Sequence, residues 1–418
     1  MVNKVKIPEG YQQSEIGIIP IDWNVHNIIE NSTLKARIGW QGLTTAEYLE
    51  VGDYFLITGT DFLNGRIMWE TCHYVNRERF IQDLNIQVKT GDILITKDGT
   101  IGKVAYINNL PNNATLNSGV FVVRPKGNAY LPIFLFYIFN SFYFNDFLRK
   151  LVAGSTINHL YQKDFISFKF PLPYLKEEQT AIATALSDVD ALIENLEKLI
   201  EKKRNIKQGV MQELLRPKSS WKRQTLGDIC KVFGRIGFRG YTTKDIVPEN
   251  EGAISLSPSN IVNGELNFKK CTFISWEKYE ESPEIKLNIG DIVLVKTASI
   301  GKTALVKFLP TKTTLNPQIV VLKNITVNNI FLSYLMGFKP VQDQIKEKVV
   351  GGVVPTLSQE QISGFKIFVP SLEEQDNLAN NLLSIDAEIE AINTKLNKYK
   401  MIKKGMMQTL LTGKIRLI

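Results

Sequence analysis

Apolar positions in two stretches of the chain fall at alternating steps of four and three residues. The first series is Val189, Ile193, Leu196 and Ile200, continued through Lys203 and Lys207 to Val210 and Leu214. The second is Ile385, Ile389, Ile392 and Leu396, continued through Tyr399 and Lys403 to Met406 and Leu410, each 196 residues after its counterpart. Steps of four and three trace one stripe along a helix, and a stripe held over several heptads is the a/d seam of a coiled coil. Each seam follows a proline, Pro173 or Pro370, and an acidic pair, Glu177-Glu178 or Glu373-Glu374, both suited to a helix N-terminus. Two long helices are expected, each of roughly 38 residues and about 57 Å.

Ahead of each seam the pattern changes. Runs such as Ile93-Leu94-Ile95, Val104 to Ile107 and Val120 to Val123 are short, β-branched and bounded by Gly, Asn, Asp or Pro, which is strand punctuation. They are matched by Ile292 to Val295, Ala304 to Val306 and Ile319 to Leu322. One or two helices follow each set, over Pro132 to Leu151 and Asn329 to Val349. The phenylalanine-rich stretch Tyr130 to Leu148 is nearly long enough to span a bilayer, but Pro132, Asn140, Ser141, Asn145 and Asp146 interrupt it. It is expected to form a buried core helix rather than a membrane span.

The two halves repeat each other in detail. Gly91-Asp92-Ile93 answers to Gly290-Asp291-Ile292, Ile101-Gly102-Lys103 to Ile300-Gly301-Lys302, and Leu116-Asn117 to Leu315-Asn316, all at an offset of 199. Glu177-Glu178-Gln179 answers to Glu373-Glu374-Gln375, and Gly209 to Leu215 to Gly405 to Leu411, at an offset of 196. Near-constant offsets of this size mean two copies of a domain-sized unit, not a solenoid. The expected organisation is an α+β globule over residues 1–172, a long helix over 173–216, a second globule over 217–369 and a second long helix over 370–418. The first helix carries the chain from one globule to the other and the second, if it packs on the first, must run back, so the pair is expected to be antiparallel. The seam lysines Lys203, Lys207 and Lys403 have two readings: snorkelling at a wet mid-section, or a groove that admits a partner's acidic helices.

Composition narrows the function classes. With 44% hydrophobic and 22% charged residues the 418-residue chain is an ordinary globular protein, and its formal charge of +8 favours polyanionic partners. Cys72, Cys230 and Cys271 are scattered and odd in number, so neither a disulfide framework nor a zinc site is expected, and a reduced cytoplasmic setting fits. Cys72-His73 would need two further ligands that no motif supplies. Met1 to Gly10 has lysines but no apolar core of a secretory signal.

The ordered recurrence of these motifs resembles the specificity subunit of type I restriction-modification systems. The closing Leu-Leu-Thr-Gly-Lys-Ile-Arg at Leu410 to Arg416, the opening Ile19-Pro20-Ile21-Asp22-Trp23 and its echo Ser220-Trp221-Lys222-Arg223 share in the resemblance. The resemblance covers the chain from about residue 10 to its end. It implies that each globule is a target recognition domain reading one half of a split, asymmetric sequence in double-stranded DNA, with the coiled coil as a ruler for the unread spacer. It implies two modification (methyltransferase) subunits and two restriction (motor and nuclease) subunits as partners, with S-adenosylmethionine, ATP and Mg expected there, none bound by this chain, and no membrane.

Base edges need donors and acceptors on loops, and phosphates need cations or backbone amides near glycines. In the first copy Arg37, Gln41, Thr44, Thr58, Thr60, Asp61, Lys97, Asp98, Thr100 and Lys103 stand on glycine-bounded turns. The second copy places Arg235, Arg239, Thr242, Ser257, Ser259, Asn260, Lys296, Thr297, Ser299 and Lys302 there. Kept pairs (Arg37/Arg235, Lys97/Lys296, Lys103/Lys302) suit phosphate positioning or fold maintenance; differing pairs (Gln41/Arg239, Asp61/Asn260, Asp98/Thr297) better suit base readout. Ala298 replaces Gly99, so that turn is not expected to be identical in the two copies.

Intrinsic catalysis is disfavoured. Asn316-Pro317-Gln318-Ile319 lacks the second proline and stacking aromatic of an amino-methyltransferase loop, and Asn117-Ser118-Gly119-Val120 lacks even the first proline. No G-x-G-x-x-G or Walker A run occurs. Glu284-Ile285-Lys286 resembles half of a nuclease motif but is a triplet that any charged chain contains. A pure dimerisation scaffold would use the helices and leave two basic, turn-rich globules without a role.

Overall fold

The central strand of each globule is buried along its whole length because both of its faces are covered. The computed structural model describes residues 7–153, 159–349 and 355–417. It contains two compact units, Met1–Glu197 with Lys395–Ile418, and Lys198–Thr394. In the first, strand Ile93–Thr96 is buried at every position. Ile93 and Ile95 point with Phe121 and Val123 into a helix-covered core, while Leu94 points with Val120 and Val122 into a second core. Alternating faces thus join two cores through one sheet.

That sheet runs Val104–Tyr106, Ile93–Thr96, Val120–Pro125, Ser32–Ala36, antiparallel throughout. A three-stranded sheet, Ala114–Leu116, Tyr54–Ile57, His73–Val75, contains one parallel pair, the first two strands. The second unit repeats the plan: Lys231–Gly234, Ile319–Lys323, Ile292–Val295 and Thr303–Leu305 form the antiparallel sheet. Ile246–Val247, Thr272–Ile274, Ala253–Leu256 and Thr313–Leu315 form the mixed one. The phenylalanine-rich stretch is two helices, Pro132–Phe139 and Phe142–Ala153, and its counterpart is Asn329–Gly337 and Lys339–Val349. Among the described residues no helix is long and apolar enough to cross a membrane. The fold class is α+β with a tandem internal repeat.

The long helices are Lys176–Leu214 and Leu372–Leu410, each of 39 residues. Their ends are part of the globular cores: Ile182, Leu186, Leu410 and Leu411 in the first unit, Leu215, Leu378 and Leu382 in the second. Of the seam, Val189, Ile200, Ile389 and Leu396 are buried, and Ile193, Leu196, Ile385 and Ile392 are half-buried. Within the first unit Asp190 pairs with Lys403 and Glu197 with Lys400; within the second Lys203 pairs with Glu388 and Lys207 with Asp386. In both units the partner's number falls as the other's rises, so the helices run antiparallel in each. The seam lysines thus take carboxylate partners on the facing helix, an outcome different from both snorkelling and an open groove.

The repeated motifs prove to be fold-making. Gly91 (φ +91°) and Gly290 (φ +94°) turn the chain into the central strand. The Asp92 carboxylate then accepts from Lys89 N at 2.7 Å and from Arg124 at 2.6 Å. Asp291 does the same with Asn288 N and Lys323, each at 2.8 Å. Gln179 accepts from Leu131 N (2.9 Å) and donates to Pro173 O (3.0 Å), fixing globule to helix; Gln375 repeats this with Asn328 and Pro370. Buried Glu178 accepts from the indole of Trp23 at 3.0 Å, as Glu374 does from Trp221 at 3.2 Å. The closing motif binds the opening one: Arg416 pairs with Glu178 and Asp22, and Tyr11 donates to Gly413 O at 2.8 Å. Gly413 (φ +68°) is required there, since a Cβ would collide with Pro20. Of the leading stretch Met1 to Gly10, residues 1–6 lie outside the described ones.

Candidate nucleic-acid interface

In each unit several loops are tied together at one edge of the sheets. In the first, Lys97 N donates to Gly119 O and Leu160 N to Lys97 O, both at 2.8 Å, and Lys103 Nζ reaches Gly59 O at 3.3 Å. Asn117 donates to the hydroxyl of Tyr48, bringing in the loop that holds Gln41 and Thr44. The second unit has Lys296 N on Gln318 O (2.8 Å) and Leu357 N on Lys296 O (2.9 Å), with Tyr241 bonded to Ser255. The segments that carry Thr58 to Asp61, Lys97 to Lys103, and their counterparts therefore share an edge.

Burial divides the candidate residues. Arg37 is 2% exposed: its guanidinium donates to Leu116 O (2.9 Å), Thr115 Oγ1 (3.2 Å) and Gln82 Oε1 (3.3 Å). Arg235, 3% exposed, donates to Leu315 O (3.1 Å), Arg239 O (3.2 Å) and Thr314 Oγ1 (3.4 Å). Burial lowers the pKa of both, yet an arginine stays charged. Of the two roles the sequence allows this kept pair, internal bonding supports fold maintenance: each guanidinium holds a strand end beneath the loop edge.

Asp61 and Asn260 are also interior. Asp61 accepts from Thr58 N at 2.7 Å and from Thr71; Asn260 accepts from Ser257 N at 2.9 Å and donates to Asn267 O at 3.0 Å. Both cap turns, and their difference in charge reflects different turn partners rather than open donors and acceptors. Gln41 is buried, with its Oε1 unpartnered among the described residues, whereas its counterpart Arg239 is half-buried and lies 3.7 Å from Glu284.

The accessible set is smaller. Thr44, Thr60 and Thr100 are exposed, and Thr58, Lys97, Asp98 and Lys103 are half-buried. In the second unit Thr242, Ser259, Ser299 and Lys302 are exposed, and Ser257, Lys296 and Thr297 are half-buried. Thr44 and Thr242 begin capping turns closed by Glu47 and Asp245. Backbone and hydroxyl bonds from those threonines, helped by Arg79 in the first unit, hold both carboxyls below the usual range. Lys97 lies 5.2 Å over the ring of Phe121, and burial lowers its pKa while Asp98 opposes that shift.

Asp98 also shows what pattern reading missed. Its carboxylate contacts the His159 ring and the two residues form a β-bridge, and the His159 ring centroid lies 4.5 Å from that of exposed Tyr161, the rings tilted by 50°. In the second unit Thr297 bridges Thr356, with hydroxyls 3.2 Å apart. Residues facing each other across the edge have thus changed together between the copies, a signal that an alignment of the two halves near His159 would have exposed.

The turn at Gly99 and Ala298 corrects another expectation. Gly99 has φ +64° and Ala298 φ +66°, so the backbone is left-handed in both despite the Cβ. A left-handed alanine is strained by about 1–2 kcal/mol. Ala298→Gly is expected to stabilise the second unit by about 0.5–1 kcal/mol after glycine's greater chain entropy is subtracted. Thermal unfolding checks this; an unchanged or lower midpoint would show the strain is absent.

The family model for the type I restriction modification DNA specificity domain matches residues 38–203 and again 218–400. The chain belongs to that family. Two similar relatives come from Methanocaldococcus jannaschii. The MjaVIII type I restriction enzyme specificity subunit is 27% identical, over 95% of this chain and 94% of the relative. The putative MjaX specificity subunit is also 27% identical, over 98% and 97%. The crystal structure of a type I restriction-modification S subunit from M. genitalium matches the fold with a TM-score of 0.57 at 16% identity, covering 98% of this chain and 99% of that one. Among the described residues no cluster of His, Cys, Asp or Glu has the makings of a metal site.

Proposed function

We propose that this specificity subunit reads an asymmetric, bipartite site in duplex DNA, one half with each recognition domain, and that the paired helices set the unread spacer. The recognition domains are residues 1–172 and 217–369; the helices lie in 173–216 and 370–418. The observation that carries the reading is the loop edge present in both units on the same scaffold but with different side chains, Asp98–His159 in one and Thr297–Thr356 in the other. One scaffold with two chemistries suits two unlike half-sites.

Exposed Thr60, Thr100, Ser259, Ser299 and Lys302, with half-buried Lys97, Asp98, Lys103, Arg239 and Thr297, are the contacts this reading assigns. The lysines suit phosphates and the hydroxyl, guanidinium and carboxylate groups suit base edges. The chain directs methylation or cleavage performed by others: two modification subunits using S-adenosylmethionine and two restriction subunits using ATP and Mg, in the cytoplasm. Half-sites read from one face of B-DNA recur about every 34 Å, within reach of helices that are about 58 Å long at 1.5 Å per residue.

Single-molecule methylation mapping with and without this gene, beside its modification subunit, tests the proposal. The expected result is one split, asymmetric motif methylated only when the gene is present. A continuous or palindromic motif would overturn it.

A further inference from the structure

One carboxylate in each unit joins three elements. In the first, Tyr137 of the helix Pro132–Phe139 donates to Asp190 of the first long helix at 2.9 Å, and Lys403 of the second long helix pairs with the same carboxylate at 2.5 Å. In the second, Tyr334 donates to Asp386 at 2.6 Å and Lys207 pairs with it at 2.6 Å. Each lysine also lies over the ring of its tyrosine, at 5.8 and 5.0 Å. The roles of the long helices are exchanged between the two triads, as the repeat requires: Asp190 and Lys207 have Asp386 and Lys403 as counterparts, each 196 residues on.

Position gives the triads leverage. Each aspartate stands one turn beyond the last helix residue that belongs to its globule's core, Leu186 or Leu382. Core packing holds the globule to the helix but is non-directional, so it limits rocking less than a directed bond farther out. Burial keeps both phenols protonated, so each acts as a donor across the physiological range. The first unit has a second tie, Arg66 to Glu194 at 2.5 Å; the residue matching Arg66 is Glu265, which pairs with Lys307 instead.

Resting on the bipartite reading above, we propose that Tyr137–Asp190–Lys403 and Tyr334–Asp386–Lys207 are positioning residues. They fix the angle between each recognition domain and the helices of its own unit, and thereby the exactness of the spacer. They touch no DNA. Relaxing a triad leaves both half-sites readable and widens the range of spacers accepted.

The test is methylation mapping of the full complex with Tyr137→Phe or Tyr334→Phe, each removing one hydroxyl. Methylation at spacers one base pair longer or shorter is expected to rise about tenfold for Tyr334→Phe, the worth of one hydrogen bond to a charged group. A smaller rise is expected for Tyr137→Phe, which keeps the Arg66 tie. Half-site letters stay the same. A merely structural role would lower methylation at every spacer alike, and that outcome, or an unaltered spacer distribution, overturns the proposal. If Tyr334→Phe depletes the complex, Asp386→Asn, which keeps the shape and removes the charge, is read by the same criteria. A wild-type map without a fixed spacer overturns the bipartite reading itself, whereas a fixed wild-type spacer that no variant relaxes overturns only the positioning role.

Discussion

Arg37→Ala is expected to destabilise the first unit by on the order of 3 kcal/mol, because the carbonyl of Leu116 and the hydroxyl of Thr115 lose a charged donor in a site without water access. For a unit of this size that is a fall of roughly 6–12 °C in unfolding temperature. Arg235→Ala should do the same to the second unit through Leu315 and Thr314. Lysine is no rescue, since it lacks the planar fork that reaches several acceptors at once. Lys302→Ala makes the contrast: the side chain is exposed, so the fold should hold within about 0.5 kcal/mol. Its effect should fall on DNA binding, as a salt slope reduced by about one phosphate contact. Thermal unfolding and salt-dependent binding of the assembled complex, run on all three variants, separate the roles. An Arg37→Ala protein that melts normally but shows a flatter salt slope would return that residue to the DNA surface.

The arginine result bears on what a sequence reveals. Many residues kept between the two copies, Arg37 and Arg235 among them, are ones the scaffold needs, and scaffold needs are written in local patterns: a left-handed glycine, an aspartate capping a turn, a heptad step. Those patterns gave the α+β class, the central strands and the two long helices in advance, and chain connectivity gave their antiparallel pairing. They did not show that Arg37 points inward, because an arginine beside a glycine-bounded turn reads the same whether its fork meets phosphate or carbonyl. Nor did they show the partnership of Asp98 with His159, which depends on residues 61 positions apart meeting across an edge. The left-handed Ala298 was hidden for a third reason: its backbone takes a conformation against the local preference of its residue. Reading surfaces are therefore less legible than scaffolds, since their residues answer to the ligand and not to the fold.

Inserting one heptad into both long helices, between Glu197 and Lys198 and between Thr394 and Lys395, is expected to abolish methylation at the native site and create it at a longer one. These positions are where the two compact units divide, so the core packing and both Tyr–Asp–Lys triads remain within their own units. Seven residues with apolar side chains at the a and d steps keep the seam in phase and add about 10 Å of helix. At 3.4 Å per base pair that sets an upper limit of about three additional pairs in the spacer, with one to three expected once the turn of the duplex is accommodated. An insertion in only one helix should instead leave the facing seams unequal, lowering stability and all methylation together. The letters of each half-site are expected to be untouched in the double insertion, because no loop of either edge has moved relative to its own scaffold. A methylation map in which the doubly extended protein keeps the original spacer would remove the helices as its measure and leave the distance to be set by the partner subunits.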